Sequence, residues 1–148
     1  MPTDKNAVII LIADDDPDDR LLIKEALEEA KLNNPVHFVE DGIELLDYLK
    51  RENKYRDLAG STLPGLVLLD LNMPRKNGIE ALEEIKEDQK LRAIPVVVFT
   101  TSKAEEDILR AYQLGVNSFI TKPINFQGLL ETVEIISRYW FNIVELPG

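Results

Sequence analysis

A chain of 148 residues with 27 acidic and 17 basic side chains, a formal net charge of -10 and no cysteine excludes disulfides, thiolate metal sites and a cysteine nucleophile. Its basic residues are scattered among acids, so no face can neutralise a row of phosphates, and direct nucleic-acid binding is not expected. No apolar run approaches the roughly 18 residues of a membrane helix and the start "MPTDKN" has no signal core, which makes one domain, 1–148, in the cytoplasm the default expectation.

Taken in order, the chain alternates. "AVIILIA" (7–13) reads as a buried strand and runs into "DDDPDDR" (14–20), after which Leu22, Ile23, Ala26, Leu27 and Ala30 recur at helical spacing. "VHFV" (36–39) is a second strand, followed by a helix marked by Ile43, Leu46 and Leu49. The polar stretch "RENKYRDLAGSTLP" (51–64) is long where a short turn would do, and reads as plain surface or as a partner contact. "GLVLLDL" (65–71) is a third strand, with Asp70 and Asn72 at its end, and Ile79, Leu82 and Ile85 mark the next helix. "IPVVVFT" (94–100) closes on Thr100 and Thr101 before a helix of Ile108, Ala111 and Tyr112. "VNSFIT" (116–121) closes on Lys122-Pro123 before a last helix of Phe126, Leu129, Val133 and Ile136.

Strict alternation of continuous apolar strands with amphipathic helices predicts an α/β fold, a doubly wound five-stranded parallel sheet with five helices. Ligands of such sheets sit beyond the carboxyl ends of the strands. Those ends hold acids, a hydroxyl and an ammonium. Asp16 before Pro17 reads as a helix cap, with Asp18 and Asp19 complementing the helix dipole. Asp14 and Asp15 lie on the strand side of that cap and are expected within a few ångströms of Asp70. Carboxylates so close repel unless a cation compensates, and oxygen donors without a His or Cys cluster favour Mg²⁺.

In combination "ADDDPDDR", "LLDLNMPRKNG", "VVFTTS" and "ITKP" resemble the receiver domain of two-component response regulators, over residues 7 to about 140, with 141–148 as a C-terminal extension. The resemblance implies the flavodoxin-like strand order 2-1-3-4-5 and a role for each position. Asp70 is the phosphoacceptor, Asp15 the chief metal-binding acid and Asp14 a ligand through water, with the backbone carbonyl of Asn72 completing the Mg²⁺ set. Thr100 is the switch hydroxyl, Lys122 contacts the phosphoryl oxygens, and the Lys122-Pro123 bond is expected to be cis. Phe119 stands where receivers commonly carry tyrosine; it is a switch ring without a hydroxyl, or simply an aromatic filling the core. The donor implied is the phosphohistidine of a sensor histidine kinase, with transfer and autodephosphorylation as the only self-catalysed steps.

The 51–64 stretch, "VVVFTTS" and the tail "RYWFNIVELPG" (138–148) resemble single-domain regulators associated with phytochrome kinases. A homodimer built on the last helix and tail follows from that likeness and from the apolar Tyr139, Trp140, Phe141 and Ile143. With the sequence ending at Gly148, output through changed protein contacts is expected. Three rivals share parts of this inventory. A receiver-like binding module that is never phosphorylated would have the same fold. A haloacid-dehalogenase-type phosphatase resembles "DxD", where this chain has Asn72 in place of the second acid. A flavodoxin-type FMN binder would find its phosphate repelled by "DDDPDD".

Overall fold

A computed structural model describes residues 8–139 of the chain. Five parallel strands, β1 (Ile10–Ala13), β2 (Val36–Val39), β3 (Leu66–Leu69), β4 (Val96–Thr100) and β5 (Ser118–Thr121), form one sheet in the order β2-β1-β3-β4-β5. Five α-helices follow them in turn: α1 (Pro17–Glu29), α2 (Gly42–Lys50), α3 (Gly78–Glu87), α4 (Glu105–Gln113) and α5 (Phe126–Ser137). The doubly wound sheet is the one expected from the alternation, and its strand order is the one the resemblance implied. No helix among the described residues is long and apolar enough to cross a membrane.

Side chains alternate across a strand, so each strand feeds two cores. Leu11, Ala13, Val67, Leu69, Val96 and Val98 face a core completed by Leu45 and Leu49 of α2, Leu82 and Ile85 of α3, and Ala111 of α4. Ile10, Ile12, Leu66, Leu68, Val97 and Phe99 face the opposite core, closed by Ile23, Ala26 and Leu27 of α1 and by Leu129, Val133 and Ile136 of α5. Burial on both faces explains why these strands read as unbroken apolar runs.

The predicted helical stripes are buried only in part. Leu22, Ile43, Tyr112 and Phe126 keep exposed side chains, because each stands at the edge of its stripe. The strands are shorter than the apolar runs that announced them. In the run 65–71 only Leu66–Leu69 pair as strand, and Asp70 and Leu71 already belong to the following turn. The 51–64 stretch is not a bare loop: it contains a 3-10 helix, Asn53–Leu58, pinned by the buried Tyr55. Tyr55 packs edge-on against His37 and Tyr48, with centroids 5.6 and 5.0 Å away, and donates its hydroxyl hydrogen to Glu44 Oε2 at 2.7 Å.

Candidate phosphoryl and metal site

Register places the site. Ala13 stands opposite Val39 on one side and Leu69 on the other, so Asp14 and Asp70 leave adjacent strands at the same level. Leu69 pairs with Val98, and Thr100 with Thr121, which brings Thr100 and Lys122 to the same end of the sheet. Asp70 N–H donates to Ala13 O at 3.0 Å and Lys122 N–H to Thr100 O at 2.8 Å, so the backbone ladder continues into the site itself.

Both oxygens of the buried Asp70 are engaged. Oδ1 accepts from the Thr100 hydroxyl at 2.8 Å and from the Asn72 backbone N–H at 3.1 Å, while Oδ2 accepts from Lys122 Nζ at 3.1 Å. The same ammonium reaches Asp14 Oδ2 at 2.6 Å and Asp19 Oδ2 at 3.0 Å. One cation is thus shared among three carboxylates. Burial pulls the Lys122 pKa down, but hydrogen bonds and charge from Asp14, Asp70 and Asp19 outweigh it and hold the ammonium above the ordinary lysine value. Asp14 goes up as well: loss of water by burial exceeds what its share of Lys122 and the Asp16 N–H return. The site has a surplus of negative charge that its own lysine does not cancel.

Asp14, Asp15 and Asp70 each offer a carboxylate oxygen, and these atoms all lie within 4.8 Å of one another; Asp14 and Asp70 are buried and Asp15 is exposed. Three oxygen donors with uncancelled charge, open to solvent on one side, suit a hard divalent cation that keeps several waters. The fit is met by the donor chemistry. Asp16 is a cap, as its position before Pro17 indicated, accepting from Asp18 N–H at 2.9 Å. Asp19, read from sequence as a dipole partner only, also holds Lys122. It stands in the first turn of α1, three residues after the N-cap Asp16, and that turn borders the same pocket.

One expectation is corrected. All peptide bonds among the described residues are trans, Lys122-Pro123 included; the lysine is aimed inward by three carboxylates rather than by an isomeric bond. Phe119 is half-buried and packs against the core under α2, α3 and α4. Its backbone N–H donates to the Tyr112 hydroxyl of α4 at 3.2 Å, so a phenol does approach this position, from the neighbouring helix. Thr101 is exposed and outside the site. Ser102, which sequence reading passed over, donates its N–H to Thr100 Oγ1 at 3.3 Å and its hydroxyl to Asp107 of α4 at 2.7 Å. Beside Lys122 a cleft of about 160 Å³ is lined by Leu22, Phe99, Ile124, Phe126 and Leu129 together with Asp19. Tyr139 is half-exposed just past α5, while Trp140, Phe141 and Ile143 lie outside the described residues.

Comparison with known proteins agrees with this geometry. The response regulator receiver domain family matches residues 10–134. The probable methanogenesis regulatory protein FilR2 of Methanothrix harundinacea is 41% identical over 140 residues, covering 95% of this chain and 88% of the relative. Response regulator Rcp1 of Synechocystis sp. is 37% identical, with 95% and 93% covered. Among solved structures, the phosphorylated cyanobacterial phytochrome response regulator RcpA superimposes with a TM-score of 0.88 at 42% identity, covering 96% of this chain and 99% of that one. A Mn²⁺-bound form of Rcp1 gives a TM-score of 0.86 at 37% identity, covering 95% and 99%.

Proposed function

The chain belongs to the response regulator receiver family, and from that premise we propose that Asp70 accepts a phosphoryl group from the phosphohistidine of a sensor histidine kinase. The observation that carries this is the convergence on one buried carboxylate of a hydroxyl, a backbone N–H, an ammonium and two further acids. A carboxylate oxygen of Asp70 attacks phosphorus, the new O–P bond forms as the P–N bond of the donor breaks, and the electron pair returns to the imidazole nitrogen. Lys122 lies where the equatorial oxygens would gather charge, and the Thr100 hydroxyl can turn from Asp70 to the transferred group. Asp14, Asp15, Asp70 and the Asn72 carbonyl would hold Mg²⁺, which when bound offsets charge on the phosphoryl oxygens. The apolar cleft beside Lys122, with Leu22, Ile124 and Phe126 exposed around it, gives the donor protein a place to dock.

The output is a change of protein contacts. Thr100 is joined through Ser102 to α4, and movement of its hydroxyl towards a phosphoryl group breaks that chain, with Phe119 following. The likeness to the phytochrome response regulator RcpA supports a phytochrome kinase as the donor here. A homodimer on α5 is supported by Ile135, 62% exposed, and Tyr139, 50% exposed, one turn apart. Ile135→Asp is expected to shift the sedimentation coefficient to that of a monomer, and an unchanged value would remove α5 from the interface.

Phosphoramidate, whose P–N bond stands in for phosphohistidine, tests the reading. Stoichiometric phosphorylation that stops at one group per chain and is lost on chelation of divalent ions is the expected result. Sustained release of phosphate from small esters would point instead to a phosphatase. A chain inert to every donor, in the presence of bound cation, would be the silent binding module.

A further inference from the structure

Outside the pocket, a third buried carboxylate draws notice. Asp41 lies in the turn between β2 and α2 and is 1% exposed. Its Oδ1 accepts the Glu44 N–H at 2.8 Å and so caps α2, while its Oδ2 pairs with the guanidinium of Arg75. Capping alone asks for neither burial nor a cation: the exposed Asp16 and Asn77 cap α1 and α3 of this same chain without one. Arg75, for its part, sits at φ +64, in the left-handed region that a long side chain adopts at a cost. Two costly features meet at one ion pair, and the segment they join is the loop from Asn72 to Asn77, just beyond Asp70 in the chain.

The fastening is doubled at the next residue. Gly42 N–H donates to Lys76 O at 2.9 Å, and a Cβ at position 42 would lie 2.3 Å from that oxygen. The middle of the loop is therefore tied to the β2–α2 turn at consecutive residues, Arg75 and Lys76. The C-terminal end is fixed by the Asn77 capping box of α3. The N-terminal end is Asn72, whose N–H holds Asp70 Oδ1. With the middle and one end anchored, the direction in which Asn72 presents its N–H and its carbonyl is largely decided.

We propose that Asp41 and Arg75 are positioning residues for the phosphoacceptor loop, setting the placement of Asn72 against Asp70 and hence the affinity of the acidic pocket for a divalent cation. The proposal rests on the receiver reading of that pocket. Neither Asp41 nor Arg75 bonds to Asp14, Asp15 or Asp70, so the proposed effect reaches the pocket through the loop.

The test is Mn²⁺ binding to the whole chain, followed by the paramagnetic resonance signal of free Mn²⁺, in wild type, Arg75→Ala, Asp41→Asn and the double variant. Arg75→Ala removes the charge partner of Asp41; Asp41→Asn keeps a capping side chain while removing the charge, and so guards against simple unfolding. Each single variant is expected to weaken Mn²⁺ binding by about tenfold, and the double variant no more than either single, because one fastening is lost in all three. Amide exchange at Asn72 should quicken in parallel while α2 in Asp41→Asn stays protected. Single-variant affinities within about twofold of wild type, or fully additive losses, would overturn the proposal. If the wild type itself binds no Mn²⁺, the metal-pocket reading fails and the proposal with it; a wild type that binds beside indifferent variants refutes the proposal alone.

Discussion

Lys122 is the residue on which the unliganded site depends most. Its side chain is 9% exposed and is the ammonium that Asp14, Asp19 and Asp70 share, two of them buried with it. Removing one partner from a buried charge cluster costs more than the pair contributes, because the remaining charges are left without compensation. Lys122→Met should therefore lower stability in the absence of divalent cations by about 3 kcal/mol, measured by urea unfolding in EDTA. Mg²⁺ should recover much of that loss, since it brings positive charge to the same oxygens. A variant as stable as wild type in EDTA would show that the three carboxylates are better solvated than their burial implies. Thr100 differs in kind. Its hydroxyl is one of several donors to Asp70, so Thr100→Ala should leave stability within about 1–2 kcal/mol of wild type and act instead on the response to phosphorylation.

One element, α3, meets the site through a tight backbone approach. At the start of α3, a Cβ on Gly78 would lie 2.5 Å from Asp70 O and 2.7 Å from Leu71 Cα. Both are backbone atoms in the turn that positions Asp70, so neither can yield without moving the site. Gly78→Ala should cost about 1–3 kcal/mol in urea unfolding and slow phosphorylation as well; unaltered phosphorylation kinetics would show that the turn relaxes away from Asp70. The 3-10 helix over Asn53–Leu58 is held differently, by the Tyr55 hydroxyl and Lys54 ammonium on Glu44 of α2. Burial raises the Glu44 carboxyl, but Lys54, Tyr55 and the Glu40 N–H together bring it below its ordinary value of 4.5. A carboxyl lowered in the folded state adds stability above its unfolded pKa and loses it as pH falls through the folded one. Wild-type stability should accordingly drop as pH falls below about 4.5, and Glu44→Gln should make that part of the profile shallower. Parallel profiles from denaturant midpoints at pH 3 to 6 would deny Glu44 that role.

For the molecule as a whole, the expected consequence of a cation-binding pocket is linkage. A ligand bound only by the folded state stabilises it by about 2.7 kcal/mol at a hundredfold excess over its Kd, so the melting temperature should climb with the logarithm of Mg²⁺ concentration and fall back in EDTA. A melting temperature indifferent to Mg²⁺ would argue against the pocket. The fold was open to sequence reading because βα alternation and doubly buried strands leave one class of architecture, and Asp14, Asp15, Asp70, Thr100 and Lys122 were visible because strand ends concentrate function. Asp41 and Ser102 were not, and Asp19 was visible only as a dipole partner, since an acid at the start of a helix or a serine after a strand looks like an ordinary cap or turn until register shows what it faces. The buried Tyr55 in a polar stretch was hidden for the same reason. The central claim is that Asp70 accepts a phosphoryl group with help from a divalent cation, and intact mass after incubation with acetyl phosphate tests it most directly. One phosphoryl adduct with Mg²⁺, none with EDTA and none in Asp70→Asn is the result predicted. An adduct that persists in Asp70→Asn, or that forms equally well in EDTA, would contradict the account.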